Sequence, residues 1–408
     1  MKTSSQNHYL AWINWGIATS FVILIFSYQT GYAITHTKMA SSLSLSLSDI
    51  GIIGSTYTFV FAFCQIFSGP ILDQFGTPLV LPLACTLLTL GIFSFAFCTS
   101  LIGFIFAQTC IAIGASFGFI GAGMTGKYWF SQEKYGMMFA LVQFVASLSA
   151  FLTQVIFIQL IANYPWDWVI NGLGMIGLVI LFLMFIFLQD PKNHEPTHKN
   201  FSLQFFKQAL CDVKIVILHK HMVFILISGA LSFGVMLSLS IVWGIHLAKY
   251  FNINANNATL TVALSWLGLA LGAPFFAWLG RRLHNDITAF TIGTLVQISA
   301  LLIMTLMPNH TFISLSGLMF IFGFATGASM LPFNIAATMV PSKYTGTSAA
   351  LVNGSQFLMG SFLMFIPGFL MENHITTNIH QALILCPILL ILSMATFYLF
   401  IIRKQSIQ

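Results

Sequence analysis

The groups able to carry protons or grip a charged ligand stand at the margins of this sequence. All nine acidic residues, Asp49, Asp73, Glu133, Asp167, Asp190, Glu195, Asp212, Asp286 and Glu372, fall between apolar stretches or at their ends. Carboxylates inside an apolar medium are the usual proton and ion relays, so their lack there disfavours a mechanism built on a buried Asp or Glu. His246 and, after it, Asp49 remain as candidates for coupling to a proton. The apolar stretches instead contain uncharged polar and aromatic groups: Tyr28, Gln29 and Tyr32, then Gln108, Gln143 and Gln154, Trp243 with His246, Asn334, and Asn353 with Gln356. Tyr28, Gln29 and Tyr32 fall within about one helical turn. Amides and phenols without fixed charge suit a neutral or zwitterionic ligand held by hydrogen bonds and stacking, such as an amino acid, short peptide, nucleoside or sugar. Each amide also has a plainer reading as a bond between neighbouring helices, worth roughly 0.6 kcal/mol on average. A strongly anionic solute would meet only His36, Lys38, His246 and Lys249.

Catalysis has less to work with. There is no paired carboxylate, no HExxH and no cluster of His and Cys, which disfavours a membrane-embedded acyltransferase or protease. Of the cysteines, Cys64, Cys85, Cys98, Cys110 and Cys386 lie in apolar runs and only Cys211 does not; without CxxC or metal-ligand spacing they read as packing residues. His194, His198, His219 and His221 lack a third ligand at a regular spacing and sit among lysines, so neither metal nor cofactor is expected. Gly121-Ala-Gly123-Met-Thr-Gly126 matches a dinucleotide-binding fingerprint, but no strand precedes it. With Gly114 and Gly118 it forms a small-residue face for close helix packing, as do Gly268 and Gly272, where Pro274 adds a kink.

The elements that must position these groups follow from composition. Of 408 residues 58% are hydrophobic and 6% charged, far from the roughly 25% charged residues of soluble proteins. Apolar runs, each able to cross a hydrocarbon core of about 30 Å, recur at 10–34, 51–72, 79–98, 101–127, 135–160, 167–189, 221–248, 258–280, 287–307, 312–340, 346–370 and 378–402. The expected fold is an all-α membrane protein of twelve transmembrane helices, since barrel strands would alternate over about ten residues. Met1 to Trp15 leads into a retained first helix without a small-residue cleavage site, not a removed signal peptide. The net charge of +6 is spread between the runs, which excludes a nucleic-acid surface. With the N-terminus inside, thirteen of the fifteen cations fall on one side and only Lys38 and Lys249 on the other. The positive-inside rule then puts both termini in the cytoplasm of a bacterial-type cell, with the chain in the inner membrane.

Gln189 to Lys220 is the only long polar stretch and reads as an exposed basic linker beside anionic head groups. It divides the chain into a six-helix bundle over 1–190, a linker over 191–220 and a second bundle over 221–408. The halves look duplicated. Gly136 to Gln143 lines up with Gly346 to Asn353 at an offset of 210, and Gly69 to Gly76 with Ala273 to Gly280 at 204.

Gly69-Pro-Ile-Leu-Asp73-Gln-Phe-Gly76 resembles the signature between the second and third helices of the major facilitator superfamily, Gly-x-Leu-x-Asp-Arg-x-Gly. It keeps Gly69, Asp73 and Gly76 but has Gln74 for the Arg, and Thr77 and Pro78 where a further cation is usual. Trp129-Phe130, Tyr135-Gly136 and Pro165-Trp166-Asp167-Trp168 resemble a bacterial nutrient-uptake branch, whose members often carry an Arg where this chain has Tyr28 or Gln108. The resemblance implies two pseudo-symmetric six-helix bundles whose first, fourth, seventh and tenth helices line a central cavity. That places Tyr28, Gln29, Tyr32, Gln108, Gln143, Trp243, His246, Asn334, Asn353 and Gln356 as candidates for substrate binding. Gly69 and Gly76 permit close approach and a tight turn, and Asp73 can accept hydrogen bonds from the start of the eleventh helix near Thr345 and Gly346. Such a contact would form a gate. The implied function is secondary transport by alternating access, with uptake of a small polar solute and symport with a proton. The implied partners are the solute, the bilayer and a coupling proton, and the chain is expected to be a monomer. Siderophore or polycarboxylate import and multidrug efflux, the latter suggested by 42 Phe, are the alternatives.

Overall fold

A computed structural model of the chain describes residues 2–45, 47–191, 203–372 and 379–405. Helices dominate, and no strand occurs among the described residues. Lipid imposes this, because a helix satisfies its backbone N–H and C=O groups within one segment. Eleven helices among the described residues are long and apolar enough to cross a bilayer, not twelve. The remaining expected span, 346–370, coincides with a 28-residue helix, whose side chains at 365, 368 and 369 lie outside the described residues.

The chain packs into two compact units, the first comprising Met1–Val216 and Val340–Leu351 and the second Ile217–Met339 and Val352–Gln408. The first unit holds α1 (Lys2–Leu43), α2 (Leu47–Phe75), α3 (Thr77–Phe97), α4 (Leu101–Ala115), α5 (Gly118–Trp129), α6 (Tyr135–Asn163), α7 (Trp166–Phe187) and most of α8 (Leu203–Leu218). α1 packs against α5, α6 and α7, and α3 against α4 and α7, around fully buried Phe21, Phe95, Phe104 and Phe139. Gly76 turns the chain between α2 and α3 with φ of 73°, a left-handed value that a Cβ would strain. Pro78 follows in the first turn of α3, where its missing N–H costs nothing. α4 and α5 are one span, broken at Ser116 and Phe117.

The linker differs from the sequence expectation. Residues 192–202, with His194, His198, Lys192 and Lys199, lie outside the described residues. The following segment, though, is the helix α8, with Ala209, Val213 and Val216 buried and Lys207, Cys211 and Lys214 exposed. That three-to-four-residue spacing buries one face of the helix.

The second unit holds α9 (Met222–Ser238), a π-helical turn at Leu239–Trp243, α10 (Gly244–Tyr250), α11 (Ala255–Arg282), α12 (Asp286–Leu306), α13 (Phe312–Thr326), a 3₁₀ turn at Gly327–Met330, α14 (Leu331–Met339), α15 (Thr345–Glu372) after its first seven residues, α16 (Ile379–Leu383) and α17 (Leu385–Gln405). Asn254 and Asn285 cap α11 and α12, and Thr311 forms a capping box with Ser314 at the start of α13. α11 and α13 touch backbone to backbone: a Cβ on Gly268 or Gly272 would run into the carbonyls of Phe320 or Phe324, and one on Gly323 into that of Ser265. The same local order recurs in both halves of the sequence. A 3₁₀ turn at Gln132–Lys134 precedes α6, and one at Ser342–Tyr344 precedes α15, again 210 residues on. Pro70 lies inside α2 and Pro274 inside α11. Each fourth span is interrupted near its middle.

Candidate functional site

Within the first unit, the end of α2 meets the start of α15. Asp73 Oδ1 accepts from Gly346 N at 3.1 Å, and its Oδ2 accepts from Thr347 N at 3.0 Å and Thr347 Oγ1 at 3.3 Å. The first turn of a helix has N–H groups without intrahelical partners and carries the positive end of the dipole, so a carboxylate there is held by both. Two glycines permit the approach. A Cβ on Gly69 would strike the Gly346 carbonyl, and one on Gly346 the Asp73 carboxylate. Beside this clasp, Lys127 Nζ donates to the Ser342 carbonyl at 3.1 Å, and Lys343 lies over the Tyr344 ring, 4.6 Å from its centroid. Asp73, Gln74, Lys127, Tyr128, Asp212 and Tyr344 line a cavity of about 520 Å³. The docking of α15 on Asp73 explains why 340–351 groups with the first unit.

A second cluster occupies α1, α2, α3 and α4. The Tyr28 hydroxyl donates to Gln108 Oε1 at 3.1 Å, and both residues are buried. Phe95 takes both tyrosines edge-on, with centroids 6.0 Å from Tyr28 and 5.8 Å from Tyr32, while Tyr57 lies 6.4 Å from Tyr28. Gln65 Nε2 donates to the Ser116 carbonyl at 2.8 Å, where the break between α4 and α5 frees that oxygen.

Residues 16–364 match the Major Facilitator Superfamily. The chain belongs to this superfamily. A relative along nearly the whole length is an uncharacterized transporter of Bacillus subtilis (strain 168), YybO, 17% identical over 411 aligned positions that cover 96% of this chain and 94% of that protein. The protein is thus a multi-pass membrane protein of a secondary-transporter family.

The other residues expected to bind solute in this superfamily member are spread more widely. Gln143 Nε2 donates to Ser147 Oγ one turn along α6 at 2.7 Å, and Gln29 is buried in α1. In the second unit, Trp243 Nε1 donates to the Leu363 carbonyl at 3.1 Å, and its ring centroid lies 5.5 Å from that of the exposed His246. Asn334 Nδ2 donates to Asp286 Oδ2 at 2.5 Å. Gln356 Nε2 donates to the Ser329 carbonyl at 3.0 Å, and Asn353 is buried one turn earlier on α15. Asp49 stands in the first turn of α2. Thr347, Ser342 and Ser329 did not stand out in the sequence. Thr347 was within reach of it, because any residue following Gly346 at the start of a helix presents an unpaired N–H.

Proposed function

We propose that this superfamily member imports a small neutral or zwitterionic polar solute across the inner membrane by alternating access, with both termini in the cytoplasm. The clasp between Asp73 and the first turn of α15 is the observation that carries this reading. A carboxylate that accepts three hydrogen bonds from one helix start is an element with two discrete arrangements, made or broken, as a gate requires. Gly69 and Gly346 support it by bringing the two helices to contact distance, and Gly76 by turning α2 into α3.

The solute class follows from the groups inside the spans. Tyr28, Gln108, Tyr32 and Gln29 supply hydroxyls, amides and ring faces without a formal charge, which favours hydrogen bonding and stacking over ion pairing. His246 and Asp49 are the groups through which a proton would couple.

Uptake of isotope-labelled amino acids, short peptides, nucleosides, sugars and organic acids into proteoliposomes, with and without an inward proton gradient, tests the proposal. Accumulation of one neutral or zwitterionic class, lost in Tyr28→Ala and in Asp73→Asn, is expected. Movement of hydrophobic dyes or ferric chelates alone would replace import of a polar nutrient by export or siderophore transport.

A further inference from the structure

The two interrupted spans are held by the same device, and they differ in what is left over. At the break between α4 and α5, Gln65 Nε2 donates to the Ser116 carbonyl, Gln65 Oε1 accepts from Ser68 Oγ at 3.2 Å, and Ser116 Oγ donates to the Ile113 carbonyl at 2.8 Å. Each of these side chains is thus used locally. At the break between α13 and α14, Gln356 Nε2 donates to the Ser329 carbonyl in the same manner. Here Gln356 Oε1, Ser329 Oγ and Asn353 Nδ2 are all buried without a hydrogen-bond partner. The three residues are 1%, 0% and 3% exposed. Asn353 and Gln356, three residues apart on α15, share a helix face, and the bond from Gln356 brings Ser329 to that face.

Buried polar atoms are paired in the great majority of cases, because leaving one unpaired costs most of its desolvation energy. Three together, beside a helix break, mark a place where another molecule completes the bonding. Gln356 is roughly 17 Å along α15 from its start, near the middle of a bilayer core. Transporters place their ligands at such interrupted helices near the midplane.

We infer that Ser329, Asn353 and Gln356 form a specificity site for a hydroxyl group of the transported solute, which makes that solute a neutral, hydroxyl-bearing molecule such as a sugar or nucleoside. This rests on the solute-import reading above and narrows it. A hydroxyl oxygen donates once and accepts twice, so it can donate to Gln356 Oε1 while accepting from Asn353 Nδ2 and Ser329 Oγ. An ammonium has only donors and would confront Asn353 Nδ2. A carboxylate has only acceptors and would confront Gln356 Oε1. A site built to bond a hydroxyl rejects the analogue lacking it far more strongly than an apolar pocket can, because its own polar groups are then stranded.

The test is ligand-induced thermal stabilisation of the full-length protein in detergent, using sugars, nucleosides and their singly deoxygenated analogues. Loss of one particular hydroxyl should weaken binding to the wild type about tenfold or more. Ser329→Ala and Asn353→Ala should weaken binding of the parent solute by a similar factor and bind the deoxy analogue no worse than the parent. Variants that keep the full wild-type discrimination would overturn the assignment, as would stabilisation by amino acids or organic acids alone, which leaves solute import standing. A second readout needs no solute. The Tm of Ser329→Ala should equal or exceed that of the wild type, since the deleted Oγ has no partner; a fall of several degrees would show that a resident water or another fixed bond occupies it. Failure of every neutral or zwitterionic solute to accumulate in proteoliposomes would instead sink the import reading itself.

Discussion

Asp73 carries the most consequence of any single side chain in the molecule. Its oxygens receive the Gly346 and Thr347 N–H groups and the Thr347 hydroxyl, and a charged acceptor makes each bond worth about 1.5–3 kcal/mol. Asp73→Asn keeps the shape but loses the charge and one acceptor, so the initial uptake rate in proteoliposomes should fall at least about tenfold. Gly346→Ala should act in the same direction for a different reason, since its Cβ would displace the carboxylate; an uptake rate equal to wild type in both variants would refute the gate. The contact of Asp73 with the start of α15 could be anticipated from sequence, because the loop signature supplies a carboxylate and the apolar run that opens at 346 marks a helix start with unpaired N–H groups. Which further N–H it would take could not, since neighbouring donors at a helix start differ only in direction. The stranded atoms of Ser329, Asn353 and Gln356 were likewise invisible: composition reveals that an amide lies in an apolar run, and only packing reveals whether it has a partner.

Among the elements, the interrupted spans and the touching pair α11 and α13 decide stability. Gln65→Leu leaves the Ser116 carbonyl buried without its amide, and about 1–3 kcal/mol of destabilisation follows. Its signature is a lower midpoint of thermal unfolding, with Ser68→Ala milder, and an unchanged midpoint would mean that the break is held by something else. Gly272→Leu should prevent recovery of monodisperse protein, because α11 and α13 meet backbone to backbone there. Gly317→Ala on α13 has open space before it and should behave as wild type in size-exclusion chromatography. Span positions were legible because lipid demands long apolar runs, and the small-residue face of Gly268 and Gly272 was legible as packing. Helix α8 was not. Lys207 and Lys214 recur along it and disguise the narrow stripe of Ala209, Val213 and Val216 that it buries. The 3₁₀ turn at Gly327–Met330 also escaped notice, since glycine, alanine and serine are ordinary residues in a packed membrane helix.

For the whole molecule, the distribution of lysine and arginine makes an orientation testable. Cys211 is exposed on α8, so a membrane-impermeant maleimide should label it in inverted vesicles and spare it in intact cells; the opposite pattern would reverse the assigned topology. The backbone contact of α11 with α13 also constrains how the chain is made. The glycine face of α11 has no mate until α13 has been synthesised, and α12 must enter the membrane between them. At about 5–20 residues per second, the roughly forty residues that separate the two helices' ends take a ribosome about 2–9 s. Through that interval α11 waits in the bilayer with a groove shaped for a helix that does not yet exist, and any other small-residue helix that passes is a competitor for it. Biogenesis of this transporter is therefore most vulnerable midway through its second half, where slowing translation or removing a membrane chaperone should raise the misassembled fraction more than the same perturbation at α3.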